Sequence, residues 1–162
     1  MMSLAYPFQP QTKEELETAV DLWLDDNAAA LTTYGAINNW DVSLITDMSQ
    51  LFKGTNFNDN ISSWDVSNVT NLAAMFRESN FNQYIGAWDV SNVTDMRVVF
   101  NYTNFNHDIG DWDVSSVTNM TGLFQYNVQF NQDISNWDVS NVTSMAAMFH
   151  EAFDFNQDIS NW

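Results

Sequence analysis

Five aspartates, Asp41, Asp65, Asp89, Asp113 and Asp138, each follow a tryptophan and precede Val-Ser, at intervals of 24 or 25 residues. Carboxylates in that pattern can do three kinds of chemistry. Each can accept backbone N–H bonds from the residues after it, an Asx-type cap that recurs with the backbone it stabilises. Together they can form an acidic face for a basic partner, which makes these five the candidate binding residues. They can also serve calcium beside a second column, Asp108, Asp133 and Asp158, although the Gly-rich Asp motif of calcium-binding β-rolls is absent. Capping is the favoured reading, and no cofactor is expected. Stacked at a strand separation of about 4.8 Å, neighbouring carboxylates would repel by roughly 1 kcal/mol in water and about 3–4 kcal/mol at an effective dielectric near 20. Such a column needs a compensating bond.

Catalytic chemistry finds little support. The chain has no Cys, which removes thiolate nucleophiles, thiolate metal sites and disulfides. His107 and His150 fall in different columns of different repeats, and neither recurs. The carboxylate pairs repeat too regularly to be one general acid and one base. The chain is expected not to be an enzyme.

The residues that carry these carboxylates form an array. Trp40, Trp64, Trp88, Trp112, Trp137 and Trp162 delimit five repeats, 41–64, 65–88, 89–112, 113–137 and 138–162. Val, Thr and two Phe columns recur with them, and the single residue added to the last two repeats falls between the Phe columns, marking a loop. Apolar positions such as Ile61, Trp64, Val66, Val69, Leu72, Met75, Phe76 and Phe81 are spaced two to five apart. A chain winding once per repeat around a shared core gives that spacing, so the expected architecture is a repeat solenoid. The Met and Leu columns read as gap-filling core. An Asn column, Asn58, Asn82, Asn106, Asn131 and Asn156, reads as an amide ladder inside a turn. The Thr column, with one Thr per coil and no paired T-x-T, does not suit an ice-binding array. Six N-x-S/T sequons arise from the repeat itself.

Residues 1–39 do not follow the repeat and are expected to be a helical N-terminal cap, leaving 40–162 as the array. Thr12 with Glu15 forms a capping box ahead of Leu16, Ala19, Val20 and Trp23 on one face. A second short helix should stop at Gly35. The sequence ends on Trp162 without a matching cap. The array is therefore expected to continue, or that end to be covered by a partner or by end-to-end association.

Composition narrows the partners. Four Lys and Arg against 21 Asp and Glu give a formal charge of -17, which repels phosphate backbones and argues against nucleic acid. Aromatic residues make up 15% of the chain, enough bulk for a substantial core. No stretch reaches the length of a membrane span, and the start has no basic region followed by an apolar run.

The columns W-D-V-S-N-V-T-D-M and F-N-Q-D-I-S-N-W resemble the lipoprotein-associated repeat of mycoplasma surface proteins, often described as BspA-like leucine-rich-repeat surface proteins. The resemblance covers residues 40–162. It implies a leucine-rich-repeat-like solenoid with one short parallel β-strand per coil of 24–25 residues. It also implies a cell-surface or extracellular location and a role in adhesion, with no catalytic site. Aligned on the pattern L-x-x-L-x-L, "ISSWDV" places Ile61, Trp64 and Val66 inward and Asp65 outward.

The functional expectation is a non-enzymatic recognition module for a protein or glycan partner. The rival is a structural spacer carrying another domain. Recognition should appear as departures from the repeat clustered on one face, and Arg97, Tyr84, Tyr102, Tyr126 and Phe153 are such departures.

Overall fold

The computed structural model describes residues 6–162. Helix α1 (Lys13–Asp25) starts where the Thr12 hydroxyl accepts the Glu15 N–H at 3.2 Å. Helix α2 (Asn27–Tyr34) starts on the Asp26 carboxylate and stops at Gly35, whose φ of 76° suits a residue without a Cβ. A single 3-10 turn, Ile37–Asn39, leads into the repeats. Leu16, Ala19, Val20 and Trp23 of α1 are buried. Trp40, at the edge of the first coil, is boxed edge-on by Phe8, Trp23 and Tyr34. Two further ties fasten the helix: Lys13 Nζ donates to Asp47 Oδ1 at 3.1 Å and Ser49 Oγ at 2.6 Å, and Trp23 Nε1 donates to Asp59 Oδ2 at 2.8 Å.

The five repeats stack as coils with like residues above like. Phe52, Phe76, Phe100, Phe124 and Phe149 form one column of near-parallel rings, with centroids 5.7–5.9 Å apart. Phe57, Phe81 and Phe105 form a second, and Phe130 stacks on Phe155 in the two coils that carry the inserted residue. Within each coil the two Phe rings lie 3.8–4.2 Å apart, so the columns interlock into one offset-stacked aromatic core. Every Phe and Trp ring of the first four coils is essentially buried, whereas Phe149, Phe155 and Trp162 of the fifth are partly so.

The expected strand per coil is absent, and with it the leucine-rich-repeat-like solenoid. No strand occurs among the described residues; the only strand-type pairings between coils there are single parallel bridges along Asp47, Asn71, Asp95, Asn119 and Ser144. The segment read as a strand, Ile61 to Val66, turns back on itself, because the Trp64 N–H bonds the Ile61 carbonyl at 3.1 Å. A backbone N–H spent within its own turn cannot join a ladder. The indole makes the link instead: Trp88, Trp112 and Trp137 each donate Nε1–H to an Ile carbonyl of the coil before, and Trp64 to Ile37 of the 3-10 turn, at 2.8–3.3 Å.

The winding is built from a five-residue unit that the L-x-x-L-x-L alignment hides. An Asp or Asn is followed by an apolar residue, two small or polar residues and a second apolar residue. The Asx side chain accepts from the third residue's N–H, and the fifth residue's N–H closes a turn on the second's carbonyl. In the second coil, Asp65 accepts from Ser67 at 3.0 Å while Val69 bonds Val66 at 2.8 Å. Asn71 likewise accepts from Ala73 at 2.9 Å while Met75 bonds Leu72 at 3.0 Å. The third corner carries Asn60, Asp108, Asp133 and Asp158, which cap Ser62, Gly110, Ser135 and Ser160. Both apolar residues of such a unit point inward, so a coil of tight turns can enclose a core without a sheet.

Candidate functional site

Each Asp of the post-Trp column forms the expected cap. Asp41, Asp65, Asp89, Asp113 and Asp138 accept the N–H of the Ser two residues on, at 3.0–3.1 Å through Oδ1. In the first four coils the same oxygen also takes the Ser hydroxyl at 2.6 Å. The Ser side-chain bond, seconded by its backbone N–H and opposed by burial, holds the Asp89 carboxyl below its ordinary range. For Asp113 the same two bonds outweigh burial and the upward push of Asp89 and Asp138, so at that position capping overcomes the repulsion of its neighbours. Oδ2 of Asp41 accepts from Gln9 at 2.6 Å.

Where a cap holds its carboxyl down, as at Asp89 and Asp113, it adds an acid-sensitive contribution to stability. A carboxylate whose pKa is lower folded than unfolded contributes stability that is complete above the unfolded value, near 3.9, and is lost as pH falls through the folded one. Asp89→Asn keeps an acceptor and relieves repulsion, and should change stability at neutral pH by less than about 1 kcal/mol. Asp89→Ala removes two accepted bonds and should cost about 1–2 kcal/mol. Urea titrations at pH 7 and pH 3 check both, with the parent-to-Ala gap narrowing at the lower pH. Equal losses for Asn and Ala at pH 7 would contradict capping.

The second column, Asp108, Asp133 and Asp158, caps its own turns as described above. Among the described residues no three Asp, Glu or His side chains gather as a metal site would require. The Asn column forms its ladder through both backbone and amide groups: the side-chain oxygens of Asn58, Asn82, Asn106 and Asn131 accept the N–H of the next Asn up, at 2.8–3.2 Å, and those of Asn58, Asn106 and Asn131 also accept a Gln amide at 2.8–3.2 Å. Gln83, Gln132 and Gln157 reach back to the Asn carbonyl below, and His107 fills that place with Nε2 2.9 Å from Asn82 O. His150 stands elsewhere, edge-on to Tyr126. The Thr hydroxyls of the middle coils donate to the preceding Thr carbonyl, and the sequon amides of Asn68, Asn92 and Asn141 donate to a Ser carbonyl below.

One strip of surface lacks this sameness. It begins at the bridge positions and runs through four columns, those of Ala73, Ala74, Arg77 and Glu78 in the second coil. The first coil places Ser49, Gln50, Lys53 and Gly54 there, the third Arg97, Val98, Asn101 and Tyr102, and the fourth Thr121, Gly122, Gln125 and Tyr126. Its backbone is tied tightly from coil to coil, with Met48, Gln50, Phe52 and Gly54 donating to Asn71, Ala73, Met75 and Arg77 at 2.8–2.9 Å. The winding demands positive φ at two of the four columns. Only Gly54 and Gly122 meet that demand with glycine; Gln50, Ala74, Glu78, Val98, Tyr102, Tyr126, Ala147 and Glu151 all lie at φ 50–64°. A non-glycine residue there costs roughly 1–2 kcal/mol.

Arg97, Tyr102 and Tyr126 fall on this strip. Tyr84 and Phe153, the other departures from the repeat, do not: Tyr84 occupies the Asx position of the third corner, and Phe153 lies in the loop between the Phe columns. Tyr102 and Tyr126 stack at 4.3 Å with their planes 17° apart, and Tyr102 is 53% exposed. Reading the sequence alone missed Lys53 and Arg77 as their neighbours. The signal was present in the column alignment, where Lys53 and Arg77 occupy equivalent places.

Fold and surface together define a tandem-coil protein that presents an invariant turn framework and one strip of changing side chains. A family model described as "Mycoplasma protein of unknown function, DUF285" matches residues 25–109 and again residues 78–162, so the chain belongs to that repeat family. The match does not extend to the BspA-like leucine-rich-repeat group, whose strand-per-coil architecture is missing here. No curated protein and no solved structure matches the chain. No helix among the described residues is long and apolar enough to cross a membrane.

Proposed function

We propose that the chain is a non-enzymatic recognition module of a surface protein, holding a protein or glycan partner on the variable strip. The observation that carries this reading is the division of the exposed positions. Residues that bond one coil to the next repeat because every coil makes the same bonds. On the strip most of that duty falls to the backbone, with Asn101 on Gln125 and Thr121 on Ser144 the side-chain links, so the remaining side chains are free to differ. They do so with bulky and charged residues, at positions where glycine would relieve backbone strain. Strain retained for the sake of a side chain points to a use for that side chain. The resemblance to lipoprotein-associated repeats supports a cell-surface setting and adhesion. In this reading the Asp column supplies an acidic flank, with Oδ1 engaged in capping and, above Asp41, whose Oδ2 takes Gln9, the second oxygen left for a basic partner.

A glycan and surface-protein array probed with the chain tests the proposal. Binding that Tyr102→Ala/Tyr126→Ala abolishes, with the melting temperature held, is the expected result. Binding that survives this change but is lost in Asp89→Asn/Asp113→Asn would move the site to the Asp face. No binding to either array would favour the spacer.

A further inference from the structure

The strip also carries a charge anomaly, and the inference from it rests on the recognition reading above. The chain has four cationic side chains: Lys13, Lys53, Arg77 and Arg97. Lys13 is spent fastening α1 to Asp47 and Ser49. The other three line one cleft of about 390 Å³, with Ala73 and Ala74 among its walls. In a chain of formal charge -17, every cation not used by the N-terminal helix thus faces the same cavity.

Both guanidinium groups are held by one edge. Arg97 lies against Asp95, with Nε 3.0 Å from each carboxylate oxygen and Nη2 2.7 Å from Oδ2. Arg77 lies against Glu78 Oε1, with Nε at 3.0 Å and Nη2 at 2.9 Å. Nη1 of each Arg has no hydrogen bond among the described residues, which leaves a free donor on a side chain already oriented. A guanidinium fixed on one side loses little rotamer freedom when the other side engages a carboxylate. Three cations against these two anions leave the cleft one net positive charge. That suits a ligand with a single negative charge. A polyanion would extend beyond a Debye length of about 10 Å at 0.1 M salt and meet the acidic remainder of the chain.

The neighbouring column supplies a platform. Tyr126 covers one face of Tyr102, and the coil on the other side of Tyr102 is that of Arg77 and Glu78. Tyr102 lies one column beyond the cleft's own lining, and a half-exposed ring there suits a ligand that reaches past the cleft with a flat apolar face and polar edges. At about 390 Å³ the cavity is the size of a small-molecule site.

We infer that the cleft formed by Lys53, Arg77 and Arg97 binds a sugar bearing one carboxylate. The carboxylate is held at the free guanidinium edges, and the apolar face of the sugar ring lies on Tyr102. Titration of the chain with glucuronic-acid-terminated and sialic-acid-terminated oligosaccharides, followed by NMR, tests this, with the carboxyl-reduced sugars and a hexaglutamate peptide as comparators. At least one acidic sugar should bind tenfold or more tighter than its reduced counterpart. Arg77→Gln and Arg97→Gln should each weaken that binding tenfold or more without lowering the melting temperature, and Tyr102→Ala should weaken both sugar forms. Equal binding of the acidic and reduced sugars, or tighter binding of hexaglutamate, would overturn the inference. If neither acidic sugar binds while an array partner is lost in Tyr102→Ala/Tyr126→Ala, the strip remains a recognition face and the acidic-sugar assignment fails. If no array partner is found either, both fail.

Discussion

Replacing Trp88 with Ala should cost about 3–5 kcal/mol, the range for deleting a buried aromatic side chain. Trp88 is 5% exposed, its ring stacks on Phe76 at 6.4 Å, and Nε1 donates to the Ile61 carbonyl at 3.3 Å. Trp88→Phe separates the two contributions. It keeps a ring in the core but removes the N–H that ties the second coil to the turn beneath it, leaving Ile61 O with only the Trp64 N–H. That loss should cost about 1–2 kcal/mol, plus a smaller amount for lost volume. Urea denaturation of parent, Phe and Ala variants should therefore give midpoints in that order, well separated. A Trp88→Ala melting temperature within a degree or two of the parent would contradict the placement of the indole as a link between coils.

Removing residues 1–35 should have the larger consequence. Leu16, Val20, Trp23 and Ala30 are buried, and their burial is worth roughly 5–8 kcal/mol at about 1.5–3 kcal/mol for each large apolar side chain. The deletion also takes away the carbonyls of Phe8 and Gly35, which accept the Asp41 N–H and the Trp40 indole. What remains exposed is the upper face of the first coil, with Trp40, Ile37, Val42 and Ile45 in view. An apolar surface of that kind drives association. Sedimentation of the truncated chain should show dimers or larger species together with a lowered melting temperature. A stable monomer would mean that α1 and α2 are an appendage.

Much of this was legible in the sequence because the bonds that make a coil are made by side chains that must recur. The Trp, Phe, Asn and Asp columns each correspond to one repeated contact, and the Thr12 and Gly35 signals sit at the ends of the two helices. The strand was misread for a physical reason. Ile-Ser-Ser-Trp-Asp-Val satisfies the inward spacing of a leucine-rich strand, and inward spacing does not reveal where the Trp64 N–H goes. The pentad of Asx, apolar, two small residues and apolar does reveal it. It occurs in three places in most coils and names a turn each time. The variable strip was only half visible. Tyr102, Tyr126 and Arg97 stood out as departures, but positive φ leaves no trace when the residue is Val98 or Tyr102 rather than glycine. Lys53, Arg77 and Arg97 converge only once the coils are stacked.

The interchangeability of the coils bears on how the chain finds its register while folding. Bonds between coils join residues 22 to 28 apart, and the partners offered by one coil are nearly those offered by the next. A coil that skipped its neighbour and docked one further back would close a loop about twice as long, at an extra entropic cost of only about 0.6 kcal/mol, or roughly threefold in rate. Chain entropy alone is thus a weak guard against misregistered docking. Selection of the right neighbour has to come from the places where coils differ. Leu44 and Ser116 stand where the other coils have the Asn that reaches a Ser carbonyl below. Asn127 spans to Thr103 Oγ1 and Phe105 O ahead of the one-residue insertion. These irregularities act as keys of unequal cut, letting each coil of a repetitive chain distinguish the one before it from the one before that.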